Sequence, residues 1–411
     1  MLNVVSAGDA MRIISENIPD IKRTETAALE AALGRVCAED ICSGEDLPAF
    51  ARSTVDGYAV IAGDTYGCSE SIPAMLTCDG EIKMGERPCA PLSKGHCIRI
   101  STGGGLPEGA DAVSMIEYTD DLGDELRYIY KPVAVLENVN NKGDDVKKGS
   151  IVLKKGDVIT SGTIAVLAAL GISEIPVAAQ VKAGIISTGN ELVEYDTKPE
   201  GNQIRNINSI MLAAQIRELG AVPVVYPIVK DEIPLLKAAL ENALESCDVV
   251  FISGGSSVGE KDNTFNVLND LGTVYFHGIS VKPGKPTIFA AVHEKPVFGL
   301  PGHPQAAFFV FTLFAAPALL KMSMKASAPV SVRKILSANV PSNHGREEII
   351  PVVISGRYAK PLHSKSGVVS VLSRADGYIR IDRNAEGLEK DTLTDVFLLH
   401  GSSPACFAEL P

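Results

Sequence analysis

The sequence predicts a multidomain chain in which one α/β domain is set among smaller β domains. Three patterns carry that expectation. Residues 180–325 alternate apolar, strand-like runs with helix-period segments, the signature of a parallel-type sheet with right-handed crossovers. Between about residues 45 and 139 the text breaks into short strands punctuated by Gly and Pro, as in a small β domain. After Lys325 it returns to short strands and turns, which predicts a C-terminal β barrel or sandwich. A chain of 411 residues also exceeds one ordinary domain.

Taken in order, Ser6 to Ile18 has an N-cap candidate and helical apolar spacing, stopped by Pro19. Thr26–Leu33 reads as a second short helix and Val36–Ile41 as a strand. Asp46–Val60 starts as a proline-bearing loop and ends as a strand, and a helix follows at Ser161–Leu170. The segment 45–139 therefore reads as an insertion into a unit made of 1–44 and 140–178. The α/β domain, 179–325, is expected to contain strands at Val181–Ile186, Val222–Ile228 and Val249–Ile252, with helices at Asn208–Leu219 and Pro234–Ser246. Residues 326–411 form the last domain, with strands expected at Val352–Ile354, Val368–Leu372, Tyr378–Ile381 and Thr394–Leu399.

Chemistry concentrates between Val249 and Pro304. The strand Val249–Ile252 breaks into Ser253-Gly254-Gly255-Ser256-Ser257-Val258-Gly259, followed by Asp262. Lys282-Pro283-Gly284-Lys285-Pro286 and Leu300-Pro301-Gly302-His303-Pro304 come next. Loops at the carboxyl ends of strands are where open α/β sheets bind ligands. Bare backbone N–H groups and paired lysines suit an anion, and Asp262 suits a metal or a polar ligand group. The prolines preorganise Lys282 and Lys285. Ser253-Gly254-Gly255 alone serves equally as an ordinary turn, and Asp56 before Gly57 equally as a turn-capping residue. No Walker A loop, dinucleotide fingerprint or nucleophile motif is present.

Composition narrows the class. A net charge of −12 and a pI of 5.2 argue against nucleic acid as a partner. The eight cysteines show no CxxC pair or Cys/His cluster, so they read as reduced and structural. The N-terminus lacks a signal-peptide pattern, and Ala306–Leu320 is shorter than a membrane span and carries Pro317. A soluble, cytoplasmic protein is expected.

An ordered series of motifs resembles the molybdopterin molybdenumtransferase family (MoeA proteins and the gephyrin E domain) over nearly the whole chain. The series comprises Pro48-x-Phe50-x-x-Ser53-x-x-Asp56-Gly57-Tyr58-Ala59, Arg99-Ile100-x-Thr102-Gly103, Gly143-x-Asp145 and Ser187-Thr188-Gly189-Asn190-Glu191-Leu192. It continues through Ser253-Gly254-Gly255-x-Ser257-Val258-Gly259-x-x-Asp262 and the two proline-glycine loops. The resemblance implies a three-layer α/β molybdopterin-binding domain and an elongated N-terminal domain. It also implies a homodimer with its active site at the subunit interface, and the molybdopterin-adenylating protein as a possible partner. The implied reaction is Mg2+-dependent insertion of molybdate, or tungstate, into adenylylated molybdopterin with release of AMP.

By the same resemblance Asp56 and Thr102 face a partner's pocket, and Asp145, Glu191, Asp231 and Asp262 are acidic positions tied to metal or substrate. Glu191 and Asp262 are the metal candidates. Lys282 and Lys285 would hold molybdate or the pterin phosphate. Ser253, Gly254, Gly255 and Ser257 would contact substrate, and Pro301, Gly302 and Pro304 would shape the pterin wall. Three departures stand out: His303 where Asn is usual, Val55 where Met precedes the Asp, and Asn140-Asn141 where an Arg is usual. They leave open a tungstate-preferring paralogue or a non-catalytic, cofactor-binding scaffold.

Overall fold

The computed structural model describes residues 4–88, 90–254, 262–325, 329–362 and 367–399. The chain divides into two compact units, one of residues 26–33 and 37–177, the other of 1–25, 34–36 and 178–411.

The second unit begins with α1 (Ala7–Asn17), whose N-cap Ser6 accepts a hydrogen bond from the Asp9 N–H. In the first unit, β1 (Gly57–Val60), β2 (Ala74–Ile82), β3 (His96–Ile100), β4 (Ala112–Met115), β5 (Thr119–Asp120) and β6 (Leu126–Ile129) form one sheet, ordered β4-β1-β3-β2-β6-β5. A helix, α2 (Ser161–Ala169), follows with Thr160 as its N-cap.

The α/β domain contains β7 (Lys182–Ser187), α3 (Asn208–Glu218), β8 (Val222–Val225), α4 (Ile233–Ser246), β9 (Val249–Ser253), α5 (Asn263–Leu271) and β10 (Thr273–His277). It continues through β11 (Val281–Lys282), β12 (Ile288–Val292), β13 (Lys295–Leu300), α6 (Pro304–Val310) and α7 (Ala316–Met322). The sheet order is β8-β7-β9-β13-β12-β10. Residues alternate across it, with Val249 and Phe251 packing toward α3, α6 and α7, and Val250 and Ile252 toward α4 and α5. Every residue of β9 is buried, as expected of a central strand covered on both faces. Phe251 stacks on Phe298 at 5.4 Å and meets Phe311 edge-on.

The final domain is a barrel of β14 (Ser331–Leu336), β15 (Glu347–Ser355), β16 (Tyr358–Pro361), β17 (Gly377–Ile381) and β18 (Leu393–Leu398). Its order β15-β16-β14-β18-β17 closes through pairing of β15 with β17, and β11 adds to β15 in parallel.

Several expectations need correction. Thr26–Leu33 is a strand, Thr24–Ala28, followed by a 3-10 turn at Leu29–Ala31. Backbone pairing there, such as the Leu29 N–H to the Ser173 carbonyl, overrides the helix propensity of its Ala, Leu and Glu residues. Val36–Ile41 contributes isolated bridge pairing, such as Cys37 with Val177, before the short strand Ile41–Cys42. Val368–Leu372 forms turns, with the Leu372 N–H bonded to the Val369 carbonyl. The α/β sheet is paired in parallel only over β8, β7, β9 and β13, while β12 pairs antiparallel with both β13 and the edge strand β10. The cause is a two-residue turn, His293-Glu294, with both φ values positive (50° and 63°), which joins β12 and β13 as a hairpin. The apolar run after Pro304 is also longer than expected. It stays helical from Pro304 to Met322, 19 residues, because a π turn at Phe311–Ala315 precedes Pro317. That run is long and apolar enough to cross a membrane, but 67% of it is buried inside the domain, as in a core helix.

Candidate functional site

The candidate site lies where the parallel strands end. The Thr188 N–H donates to the Ser253 carbonyl, the Gly189 N–H to the Val229 carbonyl and the Gly254 N–H to the Leu300 carbonyl. These bonds tie together the loops that leave β7, β8, β9 and β13. Gly254 has φ +104°, and a Cβ on it would stand 2.1 Å from the Thr188 carbonyl oxygen, so only glycine permits this approach. Asn208, the first residue of α3, donates through Nδ2 to Ser253 Oγ and to the Gly302 carbonyl, both at 2.9 Å. Pro301 is buried, Gly302 exposed and Pro304 half-buried at the start of α6. His303 is the N-cap of that helix but makes no side-chain cap bond.

Asp262 is the buried charge of the site, at 6% exposure. It caps α5, with Oδ1 accepting from the Phe265 N–H at 2.9 Å, which places the carboxylate at a helix N-terminus. Its Oδ2 lies 3.1 Å from His277 Nε2, and the His277 ring stacks on Phe265 at 4.6 Å. Burial pushes the Asp262 carboxyl above the ordinary carboxylate range, and the Asp231 carboxylate adds to this. The Phe265 N–H and His277 oppose it. Asp231 is fixed by Asn263, whose Nδ2 donates to its carbonyl and to Oδ1, and its own N–H donates to Asn190 Oδ1. Glu191 follows Asn190 as an exposed carboxylate folded back over the Gly189 backbone, where a Cβ would stand 2.9 Å from both oxygens.

Lys282 and Lys285 occupy a loop held against the helix below, where a Cβ on Gly284 would meet Val310 Cγ2 at 2.5 Å. Lys282 Nζ is 2.8 Å from Glu348 Oε1 of the barrel. Lys285 is partly exposed and makes no ion pair among the described residues. The other unit carries Asp56, Thr102 and Asp145. The Thr102 N–H and Oγ1 both donate to Asp56 Oδ1, at 2.7 and 3.0 Å, and hold that carboxyl below the usual range. Asp56 therefore caps a distant loop, not its own turn. Asp145 is exposed, its N–H bonded to the Leu47 carbonyl. Gly255 and Ser257 lie outside the described residues.

Among the described residues no group of three or more His, Cys, Asp or Glu side chains is arranged to hold a metal by itself. Asp262 and Asp231 offer carboxylate oxygens of the kind a magnesium ion prefers, and would need further oxygen ligands from elsewhere to hold one. Sequence reasoning missed His277, Asn263 and Asn208, and gave no role to Asn190 although it stands in the Ser187–Leu192 motif. The signals were slight, since His277 merely ends the apolar run Val274–Phe276 and Asn263 merely follows Asp262.

Residues 5–171 match the family described as MoeA N-terminal region (domain I and II). Residues 184–321 match the probable molybdopterin binding domain, and 333–399 the MoeA C-terminal region (domain IV). The chain is 39% identical to a putative molybdopterin biosynthesis protein of Methanocaldococcus jannaschii, over 94% of this chain and 95% of that one. It is 33% identical to the molybdopterin molybdenumtransferase of Bacillus subtilis, over 92% and 90% respectively. A crystal structure of a molybdopterin biosynthesis MoeA protein from Pyrococcus horikoshii OT3 superposes with a TM-score of 0.84 at 34% identity, covering 96% of this chain and all of the other. The chain belongs to the MoeA family of molybdopterin molybdenumtransferases.

Proposed function

We propose that this chain carries out the metal-insertion step of molybdenum cofactor biosynthesis. It takes adenylylated molybdopterin and molybdate, with Mg2+, and yields molybdenum cofactor and AMP. The observation that supports this reading best is Asp262, a buried carboxylate with no Lys or Arg partner among the described residues, held at the meeting point of the strand-end loops. Burying a carboxylate is costly; the Phe265 N–H and His277 offset part of that cost here, and a bound cation would offset more.

In this reading the Gly254 and Gly302 backbones admit the pterin closely, and Asn208 fixes both loops. Asp262 and Asp231 would hold the magnesium ion, with Glu191 the further acidic candidate at the rim. When bound, the ion supplies a Lewis acid at the pyrophosphate of the substrate. Lys282 and Lys285 would take the molybdate dianion or a phosphate, offsetting charge on its oxygens. The dithiolene sulfurs belong to the substrate, so no protein nucleophile is needed. A homodimer, a cytoplasmic location and a role for Asp56, Thr102 and Asp145 beside a partner's pocket complete the proposal.

Asp262→Ala is expected to abolish metal insertion while the circular dichroism spectrum and oligomeric state stay as in the wild type. Lys282→Gln is expected to raise the molybdate concentration needed for half-maximal insertion. Normal insertion by the Asp262 variant would overturn the proposed role of that carboxylate.

A further inference from the structure

The loop that carries Lys282 and Lys285 is not a free cationic arm, because the barrel pairs with it twice over. Its strand β11 lies parallel to β15, with Lys282 and Glu348 as register partners, so the backbone fixes the two side chains side by side. Glu348 Oε1 then sits 2.8 Å from Lys282 Nζ. The carboxylate is itself held, since Ser342 Oγ donates to its Oε2 at 2.8 Å and only 10% of its side chain is exposed. The Lys282 side chain, by contrast, is 46% exposed, and its ammonium has donors to spare, because an ammonium has three N–H bonds. The neighbouring Glu347 is engaged elsewhere, by Arg380.

The geometry points to Glu348 as a positioning residue that sets how strongly this loop binds an oxyanion. The inference rests on the reading that Lys282 and Lys285 form the oxyanion site. Glu348 acts on Lys282 in two ways. It orients the ammonium, and it places a fixed negative charge behind it, so the loop presents one net positive charge where its two lysines alone would present two. A tetrahedral dianion such as molybdate is therefore held more weakly than by the bare lysine pair, and released more readily. The half-exposed setting keeps the effect modest and sensitive to salt.

Glu348→Gln separates the two actions, because the amide oxygen still accepts from Lys282 while the charge is removed. Titrating the full chain with sodium molybdate by isothermal calorimetry, we expect Glu348→Gln to bind about two- to tenfold more tightly than wild type, with a steeper loss of affinity on adding salt. The gain should disappear when Lys282→Gln is combined with it. A merely structural role would shift the melting temperature and leave the dissociation constant unchanged. Unchanged or weaker binding by a folded Glu348→Gln protein overturns the inference. If that variant does not fold, Ser342→Ala, which leaves Glu348 in place but releases Oε2, should still change molybdate affinity, and no change there overturns it too. Lys285→Gln tests the underlying reading separately. If it leaves molybdate binding intact, the lysine loop is not the oxyanion site. If it abolishes binding while Glu348→Gln has no effect, the loop stands and the role of Glu348 falls.

Discussion

Asp262 shows how a site residue works against the stability of its own fold. Burial, reinforced by Asp231, lifts its carboxyl above the ordinary value of 3.8. Between that value and the raised one, the folded chain binds more protons than the unfolded chain. The contribution of Asp262 to stability therefore falls as pH rises through that window and stays lost above it. Asp262→Asn keeps a residue able to cap α5 and removes the charge. Its melting temperature, followed by scanning calorimetry from about pH 3 to pH 7, should gain on the wild type as pH rises. A difference that shrinks with pH would mean that His277 and the helix N-terminus over-compensate the burial. The sequence showed Asp262 but not its surroundings. His277 is fifteen positions further on, and only the pairing of β10 with β12 brings its ring back over Phe265. Asp56 was legible as an acidic turn residue, yet its partner Thr102 comes from a loop 46 residues away.

At the scale of elements, the central strands and several helices were legible from apolar patterning, whereas α5 and the helical run from Pro304 were not assigned from the sequence. Ser161–Ala169 and Ile233–Ser246 fall within a residue of the expected bounds. Val249–Ser253 is five buried residues in a row. What failed depended on tertiary pairing or on turns without a composition signal. The 24–28 strand is recruited by backbone partners, and the hairpin at His293-Glu294 lacks the Asn-Gly or Asp-Gly that announces such turns. The Ser253-Gly254 turn is the opposite case, since its glycine was visible and its necessity only becomes plain in the fold. Gly254→Ala would drive a methyl into the Thr188 carbonyl at a φ that L residues avoid. The expected cost is about 2–4 kcal/mol in urea-induced unfolding, with loss of ligand binding at the strand ends. An unaltered midpoint would show that the two loops do not depend on this close approach.

For the molecule as a whole, composition set useful limits. A net charge of −12 is compatible with the proposed anionic substrate, because the two lysines proposed to hold it lie together on one proline-bounded loop, partly offset by Glu348. The six described cysteines are all free. The long apolar helical run from Pro304 serves as core, packing through Phe309, Val310, Phe311 and Phe314 beneath the sheet. The order of an α/β sheet followed by a barrel was readable from the change of period along the chain. The closure of the barrel through β15 and β17, and its grip on the lysine loop, required the register. As proposed above, metal insertion at the strand-end site goes beyond the binding of a cofactor. It is tested most directly by measuring AMP release from adenylylated molybdopterin in the presence of Mg2+, with molybdate and tungstate varied in parallel. Oxyanion-dependent AMP release in step with formation of the metal-containing cofactor is expected. Tight binding of the adenylylated substrate without AMP release, at any concentration of either oxyanion, would contradict it.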